Sequence, residues 1–343
     1  MKSIAILCGG PGSEHEISCL SARGVLGAID RDKFSPLLIG ITRDGEWLLL
    51  PLDYPLSIKD SRLPSINGNY PQITREVDGL YVDGSKLIID AIFPVLHGTY
   101  GEDGGLQRDL DAIGIAYAGC AAAASEVAMD KALSKEIFAM RGLTVAPGMT
   151  VTAEQWSLDP ISISHSAEEL GLPLFVKAAR GGSSRGTVKV KDYSHLPAAM
   201  EEALKFDSKV LIERAIVGAE VECAVLEVGG EVKASIPGKV WIDPRFEFYD
   251  FEAKYLDGAT RIDIPAPFDP LVIRAIREKS VEAFRAIGAR GLARVDFFVT
   301  AKNEIIINEI NTMPGFTSTS AYPKMWEATG KSYKELITAL ISC

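Results

Sequence analysis

Four polar side chains near the C-terminus, Arg294, Asp296, Glu309 and Asn311, lie in two β-rich runs. Lys302-Asn303 between the runs predicts a two-residue hairpin turn. That turn would set Asp296 opposite Glu309 and Arg294 opposite Asn311. Strand side chains alternate between faces, so all four would share one. Carboxylates placed directly opposite each other repel, and a cation between them removes the repulsion. Two carboxylates and an amide are hard oxygen donors that suit Mg²⁺, whose shell is usually completed by phosphate oxygens and water. The plainer alternative is an Arg–Asp ion pair on a solvated sheet face. It fits less well because Arg294 and Asp296 lie within an apolar strand.

Other segments add chemistry. Lys177-Ala-Ala-Arg-Gly-Gly-Ser-Ser-Arg-Gly186 lies between two predicted strands. Its small residues let backbone N–H groups approach an anion, and Lys177 and Arg180 add positive charge, so it reads as a flap over phosphates. It lacks the G-K-[ST] of a P-loop. Gly182-Ser-Ser-Arg-Gly186 also fits G-x-S-x-G, with Ser184 as a hydrolase nucleophile. Only His195 follows it, too near in sequence for an intervening acid. Ser13 and Glu16 predict a capping box. Glu14, at the same loop–helix junction, either serves the helix dipole or holds a substrate ammonium. The glycine-rich loop His97–Gly105 follows an apolar strand, at the sheet edge where α/β proteins bind ligands. Lys131 on a helix reads by itself as solvated surface. Glu213 and Glu220 flank a predicted linker, where Glu220 could accept from ribose hydroxyls.

The elements that must position these groups alternate. Ile4–Cys8 reads as a buried strand and residues 14–29 as a helix. Strands are expected at Phe34–Ile41, Glu46–Leu50 and Leu87–Val95, which predicts a parallel sheet over roughly the first 120 residues. Ala121–Met140 reads as one helix, followed by a Pro-containing link and strands at Leu174–Lys177, Thr187–Val190 and Val210–Glu213. Ala219–Val228 reads as a strand, Trp241–Ile264 as a long functional loop plus a strand, and Pro270–Ile287 and Lys331–Ile341 as helices. A chain of 343 residues with 47% hydrophobic content can hold two or three domains. A net charge of −10 argues against a binder of nucleic acid or anionic membrane. Five scattered cysteines without C-x-x-C spacing predict reduced thiols, a cytoplasmic location and no zinc site. No run has the length of a signal-peptide core or a membrane span.

Taken in order, these motifs resemble the D-alanine–D-alanine ligase family of the ATP-grasp superfamily. The landmarks are Gly9-Gly10 with Ser13–Ser18, His97-Gly98 with Gly101–Gly104, Met129-Asp-Lys131, Gly182-Ser-Ser184, Tyr249–Tyr255, Arg294-Val-Asp296 and Asn308–Thr317. The resemblance implies a three-domain ATP-grasp architecture of α/β and α+β type. Residues 1–120 would form an N-terminal, Rossmann-like parallel-sheet domain that binds substrate. Residues 121–213 would carry the phosphate flap, and residues 214–343 the metal site and a lid loop. Two D-alanines and ATP would give D-alanyl-D-alanine, ADP and phosphate through an acylphosphate, for peptidoglycan precursors.

By family match, Glu14 holds the first D-alanine's ammonium and joins Ser183 and Tyr255 in a hydrogen-bonded set. Arg294 and the Gly315 N–H stabilise the oxyanion. Ser320 and Lys254 receive the second D-alanine, and His97 also contacts substrate. Lys131 and Lys177 touch phosphates, Glu213 and Arg214 lie by the adenine, and Glu220 by the ribose. Asp296, Glu309 and Asn311 bind two Mg²⁺ ions, with Mn²⁺ as a substitute. A homodimer is expected because dimers are the commonest soluble assembly. Ala178 and Arg185 depart from the family's usual flap residues. Tyr255 argues against D-lactate as second substrate, and Ala321, which leaves no basic group beside Ser320, against D-serine.

Overall fold

The apolar run near the N-terminus forms β1 (Lys2–Gly9), whose residues Ile4 to Cys8 are fully buried. α1 (His15–Ala28) connects it to β2 (Phe34–Ile41), and β3 (Trp47–Leu50) follows. The computed structural model describes residues 1–182, 185–242 and 260–342. β4 (Ile73–Glu76), β5 (Gly79–Val82) and β6 (Ser85–Lys86) make a small antiparallel sheet within the loop-rich stretch. β7 (Ala91–Pro94) occupies only the second half of its predicted run. The first sheet runs β3-β2-β1-β7, parallel except for the β3 edge. A parallel strand covered on both faces must be apolar throughout, which is why β1 was readable. The predicted capping box is not formed. Glu14 is the N-cap of α1 but its side chain does not cap the helix, and Glu16 pairs with Arg43. A guanidinium offers the carboxylate a stronger, charge-assisted bond than a backbone N–H. α2 (Gly105–Ile113) follows the His97 loop.

The single helix expected over Ala121–Met140 is two, α3 (Ala122–Met129) and α4 (Lys131–Met140). Asp130 separates them. It caps α4 by accepting from the Leu133 N–H at 3.1 Å, and its other oxygen takes Lys209 and Arg180 Nε, the latter at 3.2 Å. β8 (Gly148–Thr152), α5 (Ala153–Leu158), α6 (Pro160–Leu170), β9 (Leu174–Ala178), β10 (Thr187–Val190), α7 (Leu196–Ala203) and β11 (Lys209–Arg214) follow. Their strands form an antiparallel sheet, β10-β9-β11-β8. The sequence gives little sign of α6, since Ala167 is its one buried residue and an amphipathic stripe is missing.

The third sheet contains β12 (Ala219–Val228), β13 (Glu231–Ala234), β14 (Gly238–Ile242), β15 (Thr260–Asp263), β16 (Leu292–Val299) and β17 (Ile305–Asn311). Its order is β15-β14-β12-β16-β17, with β13 on β12. α8 (Pro270–Ala286) lays Ile276, Ala283 and Phe284 against Val225, Val295 and Phe297 on one face. The opposite face carries Arg294 and Asp296. α9 (Ala321–Ala328) and α10 (Tyr333–Ile341) end the described chain. Leu336, Ile337 and Leu340 of α10 join Ile4, Ile6 and Val25 in one core, and Lys334 Nζ lies 3.0 Å from Asp30. The last helix therefore packs on the first sheet.

Candidate active site

A cavity of about 690 Å³ opens where the three larger sheets approach one another, a size suited to a small-molecule site. The hairpin at its floor has the predicted pairing but not the predicted turn. Val299 faces Ile305, Asn303 donates to the Thr300 carbonyl at 2.9 Å, and Asn303 adopts a left-handed φ of 62°. A turn longer by one residue would set Asp296 against Asn308. A bulge between Asp296 and Phe297 absorbs that residue, so Asp296 faces Glu309 and Arg294 faces Asn311. Bulges re-aim side chains, and here both Asn308 and Glu309 line the cavity. Broken alternation in Ile307-Asn-Glu-Ile310 was the available signal for Asn308.

Glu222 on β12 stands opposite Asp296, so Glu222, Asp296 and Glu309 form a row of three carboxylates across three strands. The sequence reading missed Glu222, although it shares a strand face with Glu220. Basic groups offset the row. Arg294 donates from Nε and Nη2 to the two Asp296 oxygens, each at 2.7 Å, and its Nε is 3.5 Å from Glu222. The Arg–Asp pair given above as the plainer alternative is therefore present, but in a partly buried cleft. Asn311 Nδ2 donates to Asp296 at 2.9 Å, and Lys131 Nζ is 3.4 Å from Glu309. Lys131 is no solvated surface residue, since it also donates to the Gly181 carbonyl at 2.6 Å. Among the described residues, no three His, Cys, Asp or Glu gather closely enough to hold a metal unaided. Two carboxylates and an amide that leave the rest of the shell to phosphate and water fit Mg²⁺ better than a cation needing a full protein cage.

The second sheet supplies a buried ion triad. Glu213 bonds Lys135 through one oxygen and Lys177 Nζ, at 2.9 Å, through the other. Burial alone would raise the Glu213 pKa, but the two ammonium groups hold it down to about 2. Burial pushes Lys135 down to about 8 against the pull of Glu213. Lys177 also lies 5.5 Å from the Phe175 ring centroid. Arg180, expected to add charge over phosphates, is instead committed to Asp130 with its side chain 61% exposed. Asp130 lies beside it and supplies the opposite charge. Arg214 and Glu220 line the cavity.

At the edge of the first sheet, polar groups are tied to backbone. His97 Nδ1 donates to the Met313 carbonyl at 2.9 Å, so Nε2 accepts from Ser21 Oγ at 2.8 Å. Both ring nitrogens are thus engaged, and the ring joins β7 to the loop bearing Gly315. Glu102 accepts from the Gly98 N–H at 2.9 Å, and burial together with the Glu14 charge lifts its pKa to about 8. Gly98 has φ +74°, and a Cβ there would collide with Glu14 Oε2. Ser320 Oγ accepts from the Thr317 N–H at 3.1 Å, and Gly315 lies beside it. Lys324, one helical turn beyond Ser320, also lines the cavity. Ser183, Ser184, Lys254 and Tyr255 lie outside the described residues. His195, the remaining partner of the hydrolase reading, is exposed on a short 3-10 turn.

Sequence models of the D-ala D-ala ligase N-terminus and C-terminus match residues 3–120 and 137–342. The chain belongs to the D-alanine–D-alanine ligase family. A D-alanine–D-alanine ligase of Arthrobacter sp. (strain FB24) is 45% identical over 353 residues, spanning 98% of this chain and 92% of the relative. One from Rhodococcus erythropolis (strain PR4 / NBRC 100887) is 44% identical over 98% of this chain and 95% of its own. Among solved structures, the VanG D-Ala:D-Ser ligase from Enterococcus faecalis superposes with a TM-score of 0.88 at 34% identity, covering 99% of this chain and 98% of that one. The D-alanine-D-alanine ligase from Coxiella burnetii gives 0.84 at 32% identity, over 99% and 94%. The mixed α/β and α+β architecture is that of an ATP-grasp ligase.

Proposed function

We propose that this ligase joins two D-alanines, cleaving ATP to ADP and phosphate, in the making of peptidoglycan precursors. The observation that carries the reading is the convergence of Glu14, Lys177, Arg294, Asp296, Glu309 and Ser320 on one cavity. A carboxylate oxygen of the first D-alanine attacks the γ-phosphorus, ADP leaves, and an acylphosphate forms. The amine of the second D-alanine attacks the acyl carbon, the carbonyl oxygen becomes an oxyanion, and its collapse expels phosphate. Glu14 holds the first ammonium, with Ser183 and Tyr255 completing that set. Arg294 and the Gly315 N–H receive the oxyanion, the usual electrostatic device of acyl transfer. Ser320 and Lys254 take the second carboxylate. Lys131 and Lys177 meet the phosphates, Glu213 and Arg214 the adenine, and Glu220 the ribose. His97 serves substrate binding by holding the Met313–Gly315 loop in place.

Asp296, Glu309 and Asn311 would hold two Mg²⁺ ions, or Mn²⁺. When bound, the ions neutralise phosphate charge. Arg294 has further N–H donors and Asp296 further lone pairs beyond those they share, so each can serve its role from this pair. We further propose domains at residues 1–120, 121–213 and 214–343, a homodimer and a cytoplasmic location. No described helix is long and apolar enough to cross a membrane.

The test is D-alanine-dependent phosphate release with Mg-ATP, followed by mass spectrometry of products from mixed D-alanine, D-serine and D-lactate. No phosphate release would refute the reading. A Mg²⁺ titration of Glu309→Gln is expected to need more metal for half-maximal turnover. D-Serine as second substrate is favoured by one observation, the likeness to the VanG D-Ala:D-Ser ligase, and the mixed-substrate products separate it from D-alanine.

A further inference from the structure

Lys135 has no part in the mechanism above, yet it is a buried lysine, 5% exposed, on the same face of α4 as Lys131 and one turn deeper. A buried ammonium is tolerated only when well paired. Its partner is Glu213, whose second oxygen is held by Lys177. Lys177 has other calls on it: its Nζ lies 3.5 Å from Asn308 Oδ1, and it stands at the base of the glycine flap. A nucleotide that draws Lys177 away leaves Glu213 with Lys135 as its remaining partner in this triad. The triad therefore contains one fixed and one exchangeable cation.

We propose that Lys135 is a positioning residue for nucleotide selection: it pins Glu213 through one carboxylate oxygen and leaves the other turned toward the cavity as an acceptor for an exocyclic base amine. The inference rests on the reading above that Glu213 lies by the base. Adenine carries an amine donor where guanine carries a carbonyl. A pinned carboxylate accepts from the first and opposes the second. A carboxylate free to turn loses that discrimination.

The experiment is calorimetric binding of non-hydrolysable ATP and GTP analogues to the full chain. It compares wild type, Lys135→Met, Lys135→Arg, Glu213→Gln and the double variant Lys135→Met/Glu213→Gln. Lys135→Met should weaken the ATP analogue by about tenfold or more, the scale of a lost charged hydrogen bond, and narrow the ATP-to-GTP ratio. Lys135→Arg should recover part of both. In the Glu213→Gln background, Lys135→Met should change affinity by less than about twofold, because the two residues act as one unit. Should Lys135→Met not fold, Lys135→Met/Glu213→Leu against Glu213→Leu closes the same comparison with both buried charges removed. An unmoved ratio in Lys135→Met, or additive losses in the double variant, overturns the inference. Wild-type protein that ignores the ATP analogue would instead sink the functional reading itself.

Discussion

On the wall of the cavity built by the first sheet, polar side chains are tied to backbone and neighbouring hydroxyls: His97 to Met313 and Ser21, Glu102 to the Gly98 N–H. On the wall built by β12, β16 and β17, charged side chains neutralise one another instead, with Arg294 clasping Asp296 and Lys131 near Glu309. The first wall is set before any ligand arrives. The second holds its charges in mutual pairs that a ligand can join or replace, because the groups proposed to meet metal and oxyanion are bonded to each other. Rigid placement suits recognition of a small amino acid, whose few atoms leave no room for misalignment. Exchangeable ion pairs suit a highly charged nucleotide, which replaces each lost partner with another.

The contrast can be broken most severely at Arg294. Arg294→Ala should lower turnover by on the order of a hundredfold, as loss of one oxyanion donor does. Steady-state phosphate release reads this directly, and turnover near the wild-type value would remove Arg294 from the chemistry. On the rigid wall, Gly98→Ala forces a left-handed backbone on a residue with a Cβ and drives that Cβ into Glu14. A strain of about 1–2 kcal/mol predicts roughly tenfold lower kcat/KM for D-alanine, with ATP affinity spared. An equal effect on both substrates would erase the distinction between the walls.

Asp130 lies between α3 and α4, paired with Arg180 at the base of the flap. Asp130→Ala removes a helix cap worth about 0.5–2 kcal/mol and leaves Lys209 and Arg180 without their shared carboxylate. It should lower the melting temperature by a few degrees, and an unchanged melting curve would show that α4 needs no cap there. The smallest effect is on pH dependence. Burial holds the His97 imidazolium below its ordinary 6.5, so the unfolded chain binds that proton first. The stability it contributes is fully present above pH about 6.5 and is lost as pH falls through the folded value. Glu102, raised from 4.5 to about 8, works in the opposite sense, its contribution fading as pH rises across that interval. Urea unfolding from pH 5 to 7 should show stability rising less, or falling more, with pH in His97→Gln than in wild type, and parallel slopes would contradict the burial argument.

Much of this was legible in the sequence. β1 appears as an apolar run and β12 as a strand-like one, and the Asp296–Glu309 pairing is legible although the turn between the strands is not, because a bulge compensates for the longer turn. What stayed hidden depends on distant partners. The break at Asp130 is fixed by Lys209 and Arg180, and Glu16 leaves its expected cap for Arg43. Lys135 and Glu222 look like ordinary surface charges until the fold buries them. Local periodicity reports which face of an element is apolar; it does not report which charge will meet it from another sheet.

The docking of α10 on the first sheet has a consequence for how the chain is made. Leu336, Ile337 and Leu340 cover apolar side chains that leave the ribosome some three hundred residues earlier. That surface stays bare through most of translation, so a stalled or prematurely ended chain would present it to solvent and to other nascent chains.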